Sequence, residues 1–281
     1  MKSTKKLAMA AVLALGLLAL FAGPASAMKY SLNIAHPEGL STGVLSAGGM
    51  ATDSAGNLYI AEQSRVVKYN AGGQYLGKIA GIGGKDVDVD AAGNIWLAST
   101  GYLYKFSPAG TQLKKVTTEG PNGVAVDPAG NVYSIGPYSV YTYDTNGNST
   151  GVWFNVSFDG HGADIDSDST GKLWTSGAAS KVIRRHEPGG LILNQWNVPT
   201  YQGGVAGDGA GNVWVAEPGF CRVRKYSSTG ASLDSFGECS NVPTPGKLSY
   251  SYMPHERPGI TWGPGGVVWV SNGTEVQKWI P

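Results

Sequence analysis

Gly123-Val-Ala-Val-Asp127-Pro-Ala-Gly-Asn131-Val-Tyr133 is the stretch that decides the fold. It reads as strand, tight turn, strand. Gly130 and Asn131 tolerate the backbone a hairpin turn needs, and the Asp127 carboxylate can bond the turn amides. The pattern recurs as Gly49-Met-Ala-Thr-Asp53 through Tyr59, Asp86-Val-Asp-Val-Asp90 through Trp96, Gly204-Val-Ala-Gly-Asp208 through Trp214, and Gly259-Ile-Thr-Trp-Gly263 through Trp269. A sixth copy is read as Gly162-Ala-Asp-Ile-Asp166, running through Gly171-Lys172 to Trp174. The second-strand aromatics Tyr59, Trp96, Tyr133, Trp174, Trp214 and Trp269 lie 37, 37, 41, 40 and 55 residues apart. Each copy is followed by a third strand, such as Val66-Val-Lys-Tyr69 or Val223-Arg-Lys-Tyr226, then by a glycine turn and an apolar fourth strand. Four antiparallel strands in about 40 residues make one propeller blade. A blade cannot bury both faces alone, so the copies must stack in a ring. The expected fold is all-β, a six-bladed β-propeller. The last copy stops after its third strand at Pro281, and Lys29-Tyr-Ser-Leu-Asn-Ile-Ala35 stands as an orphan strand before the first. That N-terminal strand is expected to complete the last blade and remove a sheet edge.

These residues resemble the NHL repeat, whose pattern runs roughly Pro-x-Gly-Ile-Ala-Val-Asp-x-x-Gly-Asn-Ile-Tyr followed by an Arg-Val-Gln-Lys-Phe-like strand. Pro121-Asn-Gly123 through Tyr133 matches closely, as does Gly204 through Gly237 with Cys221-Arg-Val-Arg-Lys-Tyr226. The matching residues are structural, so the resemblance speaks for fold far more than for function. It implies an extracellular ligand-binding or sensor propeller. A more distant similarity to the amidating-lyase and virginiamycin B lyase propellers, and to lactonase-like propellers, implies as the alternative a lyase or hydrolase with a metal or acid–base site at the channel mouth.

The chain opens with Lys2, Lys5 and Lys6, an apolar run over residues 7–23, and Ala25-Ser26-Ala27, the three-part pattern of a secretory signal. Residues 1–27 are therefore expected to be removed, leaving residues 28–281 as the propeller, secreted to an extracellular or periplasmic space with no stable membrane span. Without those three lysines the remainder carries 18 basic and 20 acidic side chains. No basic stripe exists, which argues against nucleic acid. A closed ring of this kind is expected to be a monomer whose partner is a small molecule, peptide or protein at the mouth.

Two connections between blades are long, residues 36–48 and residues 239–258, and ring order makes them neighbours on one face. Long loops in a compact domain carry function more often than not. The candidate ligand-binding residues are His36, His161, Tyr250, Tyr252, His255 and Arg257, with Glu62 and Glu217 at the starts of second-to-third-strand loops. His36, His161 and His255 all fall in mouth-face connections, where three imidazoles could hold Zn²⁺ with an open position. Asp88 and Asp164 replace the small residue found as Ala51, Ala125 or Ala206, while Asp90 and Asp166 are assigned to the turn. A carboxylate inside a packed strand must pair with a cation, a divalent ion such as Ca²⁺, or backbone amides. Cys221 and Cys239 flank the third and fourth strands of blade five, so the hairpin brings them together. A disulfide there is expected to pin the root of the second long loop.

Overall fold

The computed structural model describes residues 28–35, 49–156, 163–177, 180–199, 203–242, 244–248, 258–271 and 275–281. These form six four-stranded antiparallel sheets. In five of them the strands are paired in chain order. The innermost strands are Met50–Thr52, Asp86–Val89, Gly123–Val126, Ala163–Ser167 and Val205–Gly207, in blades one to five. In the sixth, Ile260–Gly263, Val267–Ser271 and Glu275–Ile280 are completed by Lys29–Ala35, which pairs Lys29 with Ile280 and Ala35 with Glu275. The expected latch is therefore present, and it is apolar as well as hydrogen-bonded. Ile34 packs in one buried cluster with Met50, Leu58, Val67, Tyr69, Trp269 and Val276, which joins blade six to blade one.

The second-strand aromatics are almost wholly buried, with Trp96 and Trp174 at 0% exposure and Trp214 the most open at 3%. Burying side chains of this size contributes about 2–3 kcal/mol each. In blades one, two, four and five a third-strand cation lies over the ring and reaches the turn aspartate below it. Lys68 covers Tyr59 and meets Asp53, and Lys105 covers Trp96 and meets Asp90. Arg185 covers Trp174 and meets Asp168, and Lys225 covers Trp214 and meets Asp208. Blade three has Thr142 opposite Tyr133, and blade six has Gly263 where the aspartate would stand. The third-to-fourth-strand turns also pack the ring. Gly230 has φ +89°, and a β-carbon there would come within 2.8 Å of Trp196 in blade four, so both shape and backbone require glycine.

Blade four corrects the sequence alignment. Asp168, not Asp166, closes its turn: its carboxylate accepts from the amides of Thr170 and Lys172 and from the Trp174 indole. Asp166 stands opposite Trp174 as Asp88 stands opposite Trp96 and Ala125 opposite Tyr133. The true equivalents are Asp164, Asp166 and Asp168 with Asp86, Asp88 and Asp90. Asp166 is thus an interior carboxylate, and Asp164 occupies a position that is glycine in blades one, three, five and six.

Candidate functional site

The innermost strand of a blade pairs with its neighbour along one edge and turns the other toward the axis. Every second amide on it is therefore left to find another acceptor. Blades two and four supply that acceptor from their own side chains. Asp86 accepts from the Val87 amide at 2.8 Å and from Val124, on the next blade, at 2.7 Å. Asp88 accepts from Val89 at 2.7 Å and from Val126 at 2.6 Å. Asp164 accepts from Val205 at 2.8 Å. Asp166 accepts from Ser167 and Gly207, both at 2.8 Å. The carboxylates stitch blade two to blade three and blade four to blade five. Backbone amides thus serve as partners of these interior carboxylates, one of the roles the sequence left open; the Lys85 ammonium donates to Asn122 at 2.8 Å.

Proton affinity in this ladder is high. Burial, reinforced by the Asp164 charge, pushes the Asp86 carboxyl well above the usual carboxylate range. Burial pushes Asp88 up to about 7, against the pull of its two amide donors and with Asp90 adding to the rise. Asp166 is raised well up by burial and by the Asp88 charge. Two layers of carboxyls, one with Asp86 and Asp164 and one with Asp88 and Asp166, thus sense each other. Asp88 can therefore hold or release a proton near neutrality. A cavity of about 240 Å³ opens beside the second layer, at the end of the channel carrying the Asp-x-x-Gly-Asn turns. Asp88 and Asp166 border it on blades two and four, and Thr52, Thr261 and Trp262 on blades one and six.

Glu62 and Glu217 are buried at 4% and 0% exposure. Glu62 pairs with Arg65 at 2.5 Å. Glu217 pairs with Arg222 at 2.5 Å and accepts from the Tyr226 hydroxyl at 2.6 Å. Both hold the bend between second and third strands. Burial also explains why Tyr226, bonded to that carboxylate, is pushed up to about 12. His186 is buried against Phe154, with the Thr175 hydroxyl 2.9 Å from Nε2, and desolvation lowers it to about 4.

His36, His161, Tyr250, Tyr252, His255 and Arg257 lie outside the described residues. Among the described residues, no group of three or more His, Cys, Asp and Glu is arranged to hold a metal ion. The root of the second long loop is described. Cys221 and Cys239 form a disulfide with Cα atoms 4.9 Å apart. Beyond it Leu248 is fully buried and bridges back to Cys239. The Gln277 carboxamide donates to the carbonyls of Thr244 and Lys247 at 3.2 and 2.9 Å. Sequence reading missed Asp166 as a ladder acid and Thr52, Thr261 and Trp262 as cavity walls. Aligning the two Asp-x-Asp-x-Asp runs to each other would have found the first; nothing local marks the others.

The ring and its polar axis define a six-bladed β-propeller. Solved structures that share it include a streptogramin B lyase, with TM-score 0.61 and 16% identity over 88% of this chain and 96% of that one. Virginiamycin B lyase from Staphylococcus aureus aligns with TM-score 0.60 and 12% identity, over 83% of this chain and 79% of that one. A catalytically inactive variant of that enzyme, solved with quinupristin, aligns with TM-score 0.61 and 13% identity over 86% and 82%. Likeness at such identity is a likeness of fold. No family model and no curated protein matches the chain. The disulfide is compatible with an extracellular location, and no helix among the described residues is long and apolar enough to cross a membrane.

Proposed function

We propose that the chain is an exported NHL-type propeller that acts as a binding or sensor module, released after removal of residues 1–27. Its recognition surface is the face that carries the loop 239–258 and the neighbouring loop 36–48. The observation that supports this reading is the rigid root of the longer loop: a disulfide, a buried leucine and a glutamine clamp within residues 239–248. A rooted loop loses less entropy when it engages a partner. Tyr250, Tyr252, His255, Arg257, His36 and His161 supply aromatic, imidazole and guanidinium groups for a small molecule, peptide or protein. The test is a thermal-shift screen of small molecules and peptides on the wild type and on a Tyr252→Ala, His255→Ala, Arg257→Ala variant. Compounds that stabilise the wild type should lose that effect in the variant. Equal stabilisation of both proteins would overturn the assignment of the face.

A second reading is favoured by the fold shared with the streptogramin B lyases, one of which was solved with quinupristin. On that reading the protein is a lyase, or a hydrolase, acting at the channel mouth. Incubation with quinupristin, with and without added Zn²⁺ or Ca²⁺, followed by mass spectrometry, decides it. Consumption without gain of water supports a lyase, consumption with gain of water a hydrolase, and unchanged quinupristin removes this substrate.

A further inference from the structure

The axial ladder has three seats by position and two by side chain. Alternate blades of a six-membered ring are two, four and six. In blades two and four an aspartate in the second layer takes an amide of its own strand and an amide of the next: Asp88 takes Val89 and Val126, and Asp166 takes Ser167 and Gly207. The equivalent residue of blade six is Thr261, opposite Trp269 as Asp88 is opposite Trp96. The equivalent amides are those of Trp262 in blade six and Thr52 in blade one. Threonine is too short to span them. Among the described residues no side-chain oxygen accepts from either amide; the Thr52 hydroxyl instead donates to the Trp262 carbonyl at 3.1 Å. Thr52, Thr261 and Trp262 all border the cavity of about 240 Å³, which the acids Asp88, Asp90, Asp127, Asp166 and Asp168 line as well.

We propose that this end of the axial channel binds a small zwitterion, a molecule carrying a carboxylate and an ammonium on one short chain. The carboxylate takes the third seat, accepting from the Thr52 and Trp262 amides and the Thr261 hydroxyl, as Asp88 and Asp166 do at the other two. The ammonium lies toward Asp88 and Asp166 and displaces the protons that these buried carboxyls otherwise hold. A lone anion would meet the acids that line the same small cavity, and a lone cation would leave the third seat without its acceptor. The ligand must therefore carry both charges, as an amino acid or an ω-amino acid does. This site is on the opposite end of the channel from the recognition face proposed above and stands independently of it.

Isothermal titration of the full exported protein with glycine, β-alanine, γ-aminobutyrate and 5-aminovalerate tests the proposal, with acetate and methylammonium as single-charge controls. At least one member of the series should bind about tenfold or more tightly than either control, since two charge-assisted contacts act together. Thr261→Asp places the chain's own carboxylate in the third seat and should abolish binding while the circular dichroism spectrum is retained. Should that variant not fold, Thr261→Val, which removes only the hydroxyl, should weaken binding about tenfold. Tyr252→Ala should leave affinity unchanged, which separates this site from the recognition face. Absence of binding across the series, equal binding of acetate or methylammonium, or unaltered binding by folded Thr261→Asp or Thr261→Val would overturn the proposal.

Discussion

Blades two and four differ from blade six at both layers of the axial ladder, and the difference shows what the axial residues do. All three present the same strand edge to the axis. In blades two and four the chain closes that edge with aspartates that also bond the next blade. In blade six it offers Gly259 and Thr261, and the contact to blade one falls to the Thr52 hydroxyl and to the apolar latch strand. Closure of a propeller thus combines two devices: polar stitches within the arc from blade two to blade five, and a terminal strand across the chain ends.

Removing a stitch is expected to have the largest effect. Asp88→Ala leaves the Val89 and Val126 amides without their carboxylate and should cost about 2–4 kcal/mol by urea unfolding. Thr261→Ala at the blade-six counterpart should cost under about 1 kcal/mol. Equal losses at the two positions would break the contrast between them. Breaking the Cys221–Cys239 bridge with Cys221→Ser and Cys239→Ser should cost about 3 kcal/mol, because it frees a closed loop beside blade six. Urea unfolding with and without reductant checks this; no change would mean that Leu248 and Gln277 hold the loop root by themselves.

The ladder should also give the protein an inverted response to pH. A carboxyl whose folded-state pKa is raised binds its proton more tightly in the ring than in the unfolded chain. The stability it contributes is full below about pH 4 and is lost as pH rises through the folded value. For Asp88 that value is about 7, and Asp86 and Asp166 are raised in the same sense, each next to another ladder acid. His186 acts oppositely, losing its contribution as pH falls below 6.5 toward 4, so it is silent above 6.5. The turn acids Asp53 and Asp208 are lowered, by Asn57 and then Lys68 at the first and by Lys225 at the second, against the opposing effect of burial; they matter only below about pH 4. Thermal midpoints should therefore fall from pH 6.5 to pH 8, and Asp88→Asn should flatten that fall. A midpoint that rises over this interval would contradict the ladder as a proton-holding element. The smallest expected effect lies at the turns. Lys225→Met removes the cation shared by Asp208 and Trp214 and should cost about 1 kcal/mol by urea unfolding.

Much of the fold was legible because its determinants are local. The Asp-x-x-Gly-Asn turns, the buried aromatic two residues on and the glycine of the next turn repeat in one order, and each acts within its own blade. The site was less legible. Asp88 and Asp164 stood out as carboxylates where neighbours have small residues, but blade four was set two residues out of register by matching Gly162 to Gly123. That placed Asp166 in a turn that belongs to Asp168. Glu62 and Glu217 stood out only as acids at loop starts; their arginine partners are near in sequence, but their burial follows from the blades stacked around them.

By itself the sequence determined the number of blades, the latch, the disulfide and the turn chemistry, because periodicity, turn residues and cysteine spacing act over a few residues or one hairpin. The tertiary structure alone decided what the axial acids do. Their partners are amides about 40 residues away on the next blade, and their raised proton affinity comes from burial and from acids across the channel. The seat that blade six shares with blade one likewise exists only once the first and last blades meet, since its two amides lie at opposite ends of the chain.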